Sequence, residues 1–261
     1  MVERRTMIRW AIDVIVYAVF LLAWNKVDSV VPKVSRPFVC GDKSLSLPYK
    51  RSTIRGRWLH YYFYGTVVLI LAIEFLLERK GPAKQNFIKV FKRVLRWFKY
   101  YFISFICVVL VSSTIKNLYG SLRPFFFEVC KPDAAINCTG GTVIAEYKCT
   151  STEYDAYTVF ESQRSFPSGH TYSVFFSSIF LISYIQARFS EMPSKLLVVF
   201  IHSVIILWTS FCCVTRISDN WHRPADVIGA CLITLPIVVY CSHILCKNFK
   251  RNEDDEATLR S

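Results

Sequence analysis

The chain has no internal repeat and no low-complexity tract, so its 261 residues suit one large domain or one polytopic membrane bundle. Acid is scarce as well. The 19 Asp and Glu face 32 Lys and Arg, leaving a formal charge of +13. Such an excess ordinarily points to nucleic acid. Here the basic residues sit in loops between apolar runs, and no nucleic acid is expected. A cleavage site is also missing. Asp13 interrupts the first apolar run and no clear small-x-small triplet follows it, which argues against a removed signal peptide.

What the chain has in quantity is apolar surface. Hydrophobic residues make up 53% and the mean hydropathy is +0.33. A soluble domain already has about 45–50% apolar residues, so the distribution decides and the average does not. Runs near the ~20 residues that span hydrocarbon recur along the chain. They lie at about Ile8–Trp24, Trp58–Leu77, Leu95–Ile115, Tyr172–Phe189, Leu196–Val214 and Val227–Cys246. An all-α bundle of six transmembrane helices is predicted over residues 1–247, with a disordered polar tail at 248–261. Residues 84–99, KQNFIKVFKRVLRWFK, fit either a helix at an anionic lipid surface or a basic extension of the third span.

Six spans put both termini on one side. Lys and Arg divide almost evenly between the two faces, so the positive-inside rule barely discriminates. Asn137-Cys138-Thr139 is an N-glycosylation sequon in the loop between spans three and four. The same face carries Cys40, Cys130, Cys138 and Cys149, an even set that suits an oxidising compartment. That face is read as extracellular or lumenal, and the termini as cytosolic. The four cysteines are disulfide candidates with three pairings open. The other six fall in or at the ends of spans, where Cys behaves as a small hydrophobe.

Three polar clusters land at this face: KNLYGSLRP at 116–124, PSGH at 167–170 and TRISDNWHRPAD at 215–226. Charged groups beside hydrocarbon are functional hypotheses by default. Taken singly, a Lys or Arg at a span end is an ordinary snorkelling anchor, and Ser168 an ordinary helix cap. Lys116, Arg123 and Arg216 together require an anion, and phosphate matches them. The backbone N–H groups of Ser168 and Gly169, at a helix start, would add neutral donors. His222 precedes Asp226 by four residues, a spacing at which the carboxylate can fix the imidazole tautomer and leave the other nitrogen free to attack. His170 would then protonate a leaving oxygen. His202 and His243 lie inside spans and are read as structural; His60 receives no role. A rival reading makes His170, His222 and Asp226 a metal-ligand set. Three neighbouring cations would repel a divalent ion, so no metal is expected.

With those residues in place, the chain resembles the type 2 phosphatidic acid phosphatases. These are the lipid phosphate phosphatases of the wider superfamily that includes vanadium haloperoxidases. The family signature, KxxxxxxRP, PSGH and SRxxxxxHxxxD, is matched in order, with Thr215 in place of the usual Ser. The loops at 38–54 and 129–141 also look like those of the animal members. The resemblance implies His222 as nucleophile, Asp226 orienting it and His170 as acid. It further implies Lys116, Arg123, Ser168, Gly169 and Arg216 on the phosphoryl oxygens, with no cofactor. Expected substrates are phospholipid and sphingolipid phosphates: phosphatidate, lysophosphatidate, sphingosine 1-phosphate and ceramide 1-phosphate. The expected location is the plasma membrane, with the endoplasmic reticulum and a homo-oligomer left open. A non-catalytic protein that binds or scaffolds anionic lipid is the alternative; transfer of a headgroup to a second lipid is a third reading.

Overall fold

The computed structural model describes residues 2–78 and 83–250; most of the predicted polar tail, 251–261, lies outside them. The chain is mostly helical. Its elements are α1 (Val2–Val30), β1 (Phe38–Val39), α2 (Gly56–Leu77), α3 (Ala83–Tyr119), α4 (Phe126–Cys130), β2 (Val143–Ile144), α5 (Ala156–Glu161), α6 (Gly169–Ala187), α7 (Lys195–Ser218) and α8 (Pro224–Tyr240). A helix stands at each of the six places where a span is predicted.

Among the described residues, four helical stretches are long and apolar enough to cross a bilayer: Gly56–Leu77, Phe87–Tyr119, Lys195–Ser218 and Pro224–Leu245. α1 and α6 are not among them. α6 carries His170 and Gln186 together with a buried polar set that includes Thr171, Ser177, Ser178 and Tyr184. Tyr101 Oη lies 2.7 Å from Ser177 Oγ, and Tyr62 Oη 2.8 Å from Ser178 Oγ. Ser178 Oγ is also 2.6 Å from Thr209 Oγ1. These hydroxyls lower the helix's hydropathy while neighbouring helices satisfy them, as buried polar groups require.

The chain divides into two compact units. One comprises Thr53–Phe105, Gly169–Thr215 and Cys231–Ser261. At its core Glu74, fully buried, accepts from Arg93 at 2.6 Å, Arg188 at 2.6 Å and Tyr184 at 2.9 Å. A buried carboxylate survives only when paired and bonded in this way. Val90, Arg93, Val94 and Trp97 are all buried on α3, which runs unbroken through the basic segment. Of the two readings of residues 84–99, the structure therefore gives the extension of the third span. Phe249, assigned to the tail by sequence, is also buried, packed against Trp97, Phe180 and Tyr184. Its carbonyl accepts from Arg188 at 2.7 Å.

The other unit comprises Met1–Ser52, Ile106–Ser168 and Arg216–Ala230. Disulfides join Cys40 to Cys138 and Cys130 to Cys149, one of the three open pairings. Between them Phe38, Leu45, Leu122 and Phe126 form a buried cluster. β1 and β2 pair antiparallel over it, Phe38 opposite Ile144 and Val39 opposite Val143. This ribbon is a small departure from an all-helical expectation.

Candidate active site

The site is built from helix ends within the second of these units. α3 stops because Gly120 takes φ +56, and a Cβ there would lie 2.0 Å from Val34 O. No other residue fits that left-handed closing position without displacing backbone. Lys116 is thereby left in the last turn of α3. The chain beyond it pairs with the segment before PSGH: Arg123 N donates to Ser162 O at 2.8 Å, and Ser165 N to Ser121 O at 2.7 Å. Phe166 packs on α8 where Gly229 leaves room; a Cβ on Gly229 would lie 2.2 Å from that ring. Ser168 N donates to Asp226 O at 3.1 Å, which clips the turn to the first turn of α8.

α8 begins at Pro224, a favoured first helical residue. Asp226 is thus its third residue, and its Oδ2 accepts the N–H of Arg223 at 2.9 Å. This is the carboxylate half of a capping box, and it fixes the side chain at the positive end of the helix. His222 lies outside α8. Its N–H and that of Trp221 both donate to Arg216 O, at 3.0 and 3.1 Å, which folds the short link back over the end of α7. The loop at 48–52 holds this link from outside. Asn220 Nδ2 donates to Pro48 O at 2.8 Å and Trp221 Nε1 to Lys50 O at 2.9 Å.

Arg123 is the hub. Nε donates to Glu161 O at 2.6 Å, while Nη2 donates to Glu161 Oε2 at 2.6 Å and Arg164 O at 3.3 Å. Nη1 donates to Trp221 O at 3.2 Å and meets His222 Nε2 at 3.3 Å. Every one of the five guanidinium hydrogens is engaged. Arginine can only donate, so His222 Nε2 accepts, carrying a lone pair, and the ring hydrogen sits on Nδ1. Burial, then the charges of Arg123 and Lys116, push the His222 imidazole well below its usual value; Asp226 offsets this in part. The ring is therefore held in its neutral form at neutral pH.

The Nδ1 side corrects one expectation. Asp226 Oδ2 lies 3.6 Å from Nδ1, too far for a hydrogen bond. The four-residue spacing brings the two groups together, but His222 precedes the helix and the carboxylate stops short of a direct bond. Ser165 fills the gap: its Oγ lies 3.4 Å from Nδ1 and donates to Asp226 Oδ2 at 2.5 Å. A hydroxyl thus links imidazole to carboxylate.

The other expected ligands are distributed unevenly. Lys116 Nζ is buried and donates to Arg164 O at 2.9 Å, the carbonyl that Arg123 also uses. Ser168 N–H, expected to face phosphate, is taken by Asp226 O, because the turn needs that bond to register on α8. Arg216 is fully buried, with its guanidinium on Ser52 Oγ at 2.7 Å and Asp219 Oδ2 at 3.1 Å. Gly169 and His170 open α6 in the other unit, where His170 Nε2 donates to Ile54 O at 2.9 Å. Thr215, the departure from the signature, turns its hydroxyl back onto Cys212 O at 2.8 Å. Asn137 is exposed. Among the described residues no three His, Cys, Asp or Glu side chains gather as a metal-ligand set.

Ser165 and Glu161 were not singled out by sequence. The signal for Ser165 was its place two residues before the PSGH turn. For Glu161 the spacing carries none. Burial works to raise the Glu161 carboxyl, but the charges of Lys116, Arg123 and Arg164, with the bond from Arg123, hold it below its usual value.

Comparison with known proteins places the sequence in a family. Residues 97–250 match the model of the PAP2 superfamily. Phospholipid phosphatase 2 of Rattus norvegicus is 29% identical over 234 residues, covering 84% of this chain and 80% of that protein. Phospholipid phosphatase-related protein type 4 of Mus musculus is 25% identical over 264 residues, covering 93% of this chain. A Drosophila melanogaster relative is 30% identical over 225 residues, covering 76% of this chain. The chain spans only 58% of the fly protein's length and 34% of the mouse protein's. The match takes in PSGH, both histidines and all three clustered cations, and the chain belongs to the type 2 phosphatidic acid phosphatase, or PAP2, superfamily.

Proposed function

We propose that the protein is a six-span integral-membrane lipid phosphate phosphatase acting through a phosphohistidine on His222. Its substrates are the phosphate monoesters of phosphatidate, lysophosphatidate, sphingosine 1-phosphate and ceramide 1-phosphate. The observation that carries this is the setting of His222: Nε2 lies 3.3 Å from Arg123 Nη1, which can only donate, and Nδ1 lies 3.4 Å from Ser165 Oγ, which is bonded to Asp226. In the first displacement Nε2 attacks phosphorus, the P–N bond forms, and the bond to the lipid oxygen breaks. His170 supplies the proton that the departing alkoxide needs. Arg123 Nη1 exchanges His222 Nε2, now bonded to phosphorus, for a phosphoryl oxygen. Lys116 and Arg216 add charge where it develops. In the second displacement His170 takes a proton from water, the P–N bond breaks, and orthophosphate leaves. These cations take the place of a metal, and no cofactor enters.

The sequon and the disulfide-bonded loop support an extracellular or lumenal site, cytosolic termini and residence in the plasma membrane. The signature Lys, Arg, Ser, His and Asp are all present, which favours hydrolysis over a purely lipid-binding role. Rapid-quench labelling of the purified protein with ³²P-lipid should trap an acid-labile, base-stable phosphoprotein in wild type and none in His222→Ala. Turnover should be unchanged in EDTA. Labelling that survives loss of His222, or activity lost in EDTA and restored by Mg²⁺ or Zn²⁺, would overturn the mechanism.

A further inference from the structure

Beside the Arg123 network, in the same unit, lies a cavity of about 80 Å³, large enough for a small anion or several waters. Lys33, Lys116 and Arg164 line it, with Asn117, Phe160 and Gln163. Lys33 Nζ lies 4.5 Å from the centre of the Phe160 ring, and the Arg164 guanidinium 4.7 Å from it. Two cations therefore share one ring, with Lys116 on the same wall. Their charge is only partly met: Arg164 pairs with Asp28 at 2.7 Å and lies 3.5 Å from Glu161.

Orthophosphate offers acceptor oxygens to Lys33, Lys116 and the Arg164 guanidinium together. The cavity also shares a wall with the reaction site, because Arg164 O accepts from both Lys116 Nζ and Arg123 Nη2.

We infer that this cavity is a subsite for orthophosphate, occupied by the product after the phosphohistidine is hydrolysed. The product role rests on the hydrolytic reading above; the anion chemistry does not. A monoester phosphate on a second lipid offers the same oxygens, so the test separates the two sources. The full chain in phosphatidylcholine nanodiscs is assayed for equilibrium binding of ³²P-orthophosphate and for inhibition by orthophosphate of short-chain lysophosphatidate hydrolysis. Lys33→Glu and Ser35→Asp both place a negative charge at exposed lining positions that the catalytic steps do not use. Each should weaken orthophosphate binding about tenfold or more and raise the inhibition constant in parallel, with KM for lipid held within about twofold. Unaltered orthophosphate binding in both variants, with thermal midpoints equal to wild type, would overturn the assignment. A KM for lipid that rises while orthophosphate binding stays constant would overturn it in favour of a lipid headgroup seat. A wild-type protein that binds orthophosphate in a Lys33-dependent way but hydrolyses no lipid would refute the hydrolytic reading and sustain the anion site.

Discussion

Ser165→Ala isolates the link between imidazole and carboxylate. Ser165 Oγ lies 2.5 Å from Asp226 Oδ2 and 3.4 Å from His222 Nδ1, whereas the direct separation of the last two groups is 3.6 Å. As the P–N bond of the proposed mechanism forms, the imidazole becomes cationic, and the hydroxyl links that cation to the Asp226 carboxylate, which stabilises it. A hydrogen bond to a charged group contributes about 1.5–3 kcal/mol. At 1.4 kcal/mol per tenfold, its loss from the transition state lowers kcat/KM by roughly 10- to 150-fold. Asp226 could recover part of this by moving toward Nδ1, but its 2.9 Å bond from Arg223 N restrains it. The lower half of that range is therefore expected. Ser165 is fully buried, and alanine nearly fills its space, so the cost to folding should be about 1 kcal/mol. Phosphate release from a short-chain lysophosphatidate, read beside the thermal midpoint, measures both. An aryl phosphate should not restore the rate, since protonation of the leaving group is not what the variant lacks. Asp226→Asn should cost more, and the double variant less than the product of the two, because both act in one chain of bonds. A kcat/KM for Ser165→Ala within twofold of wild type, in a folded protein, would show that His222 and Asp226 pair without the hydroxyl.

Two further outcomes follow from the same network. Glu161→Gln removes the carboxylate set among Lys116, Arg123 and Arg164, so the thermal midpoint should fall by an amount equivalent to about 1–3 kcal/mol. Millimolar orthophosphate should restore it by supplying the missing anion, and a variant as stable as wild type without phosphate would refute the counter-ion role. The pH dependence of stability has a definite sign. The folded value of His222 is depressed, so below about 6.5 the unfolded chain binds the extra proton, and stability falls as the pH drops. His222→Gln abolishes that contribution. Its midpoint should therefore gain on wild type as pH is lowered from 7.5 to 5, and parallel curves would contradict a buried, neutral imidazole.

Much of this site could be read from sequence because helix ends obey local rules. Lys116 sits in the last turn of α3, before a glycine that closes the helix, and Asp226 in the first turn of α8, behind its opening proline. The same proline shows where local reasoning stopped short. Pro224 as a first helical residue leaves His222 outside α8, so the spacing of four brings the carboxylate to 3.6 Å from the imidazole and Ser165 completes the link. WHRPAD carries that signal in its proline, two residues after the histidine. On α6 the sequence predicts a span at Tyr172–Phe189, whereas its buried hydroxyls, bonded to α2, α3 and α7, leave the helix less apolar than the four stretches that meet the length and composition needed to span. The residues missed altogether, Ser165 and Glu161, take their roles from partners 57, 61 and 38 positions away. No period or motif links them to those partners. They become visible only when each donor of Arg123 and each lone pair of Asp226 is followed to its partner. Arg123 has no idle hydrogen, so phosphate cannot simply be added to it. A substrate oxygen must replace an existing acceptor, and the one it can replace without stranding a buried carbonyl or carboxylate is His222 Nε2. Phosphorus bonds to that same nitrogen in the proposed first step. Forming the bond to His222 and freeing Arg123 Nη1 for the phosphoryl oxygen are then a single event.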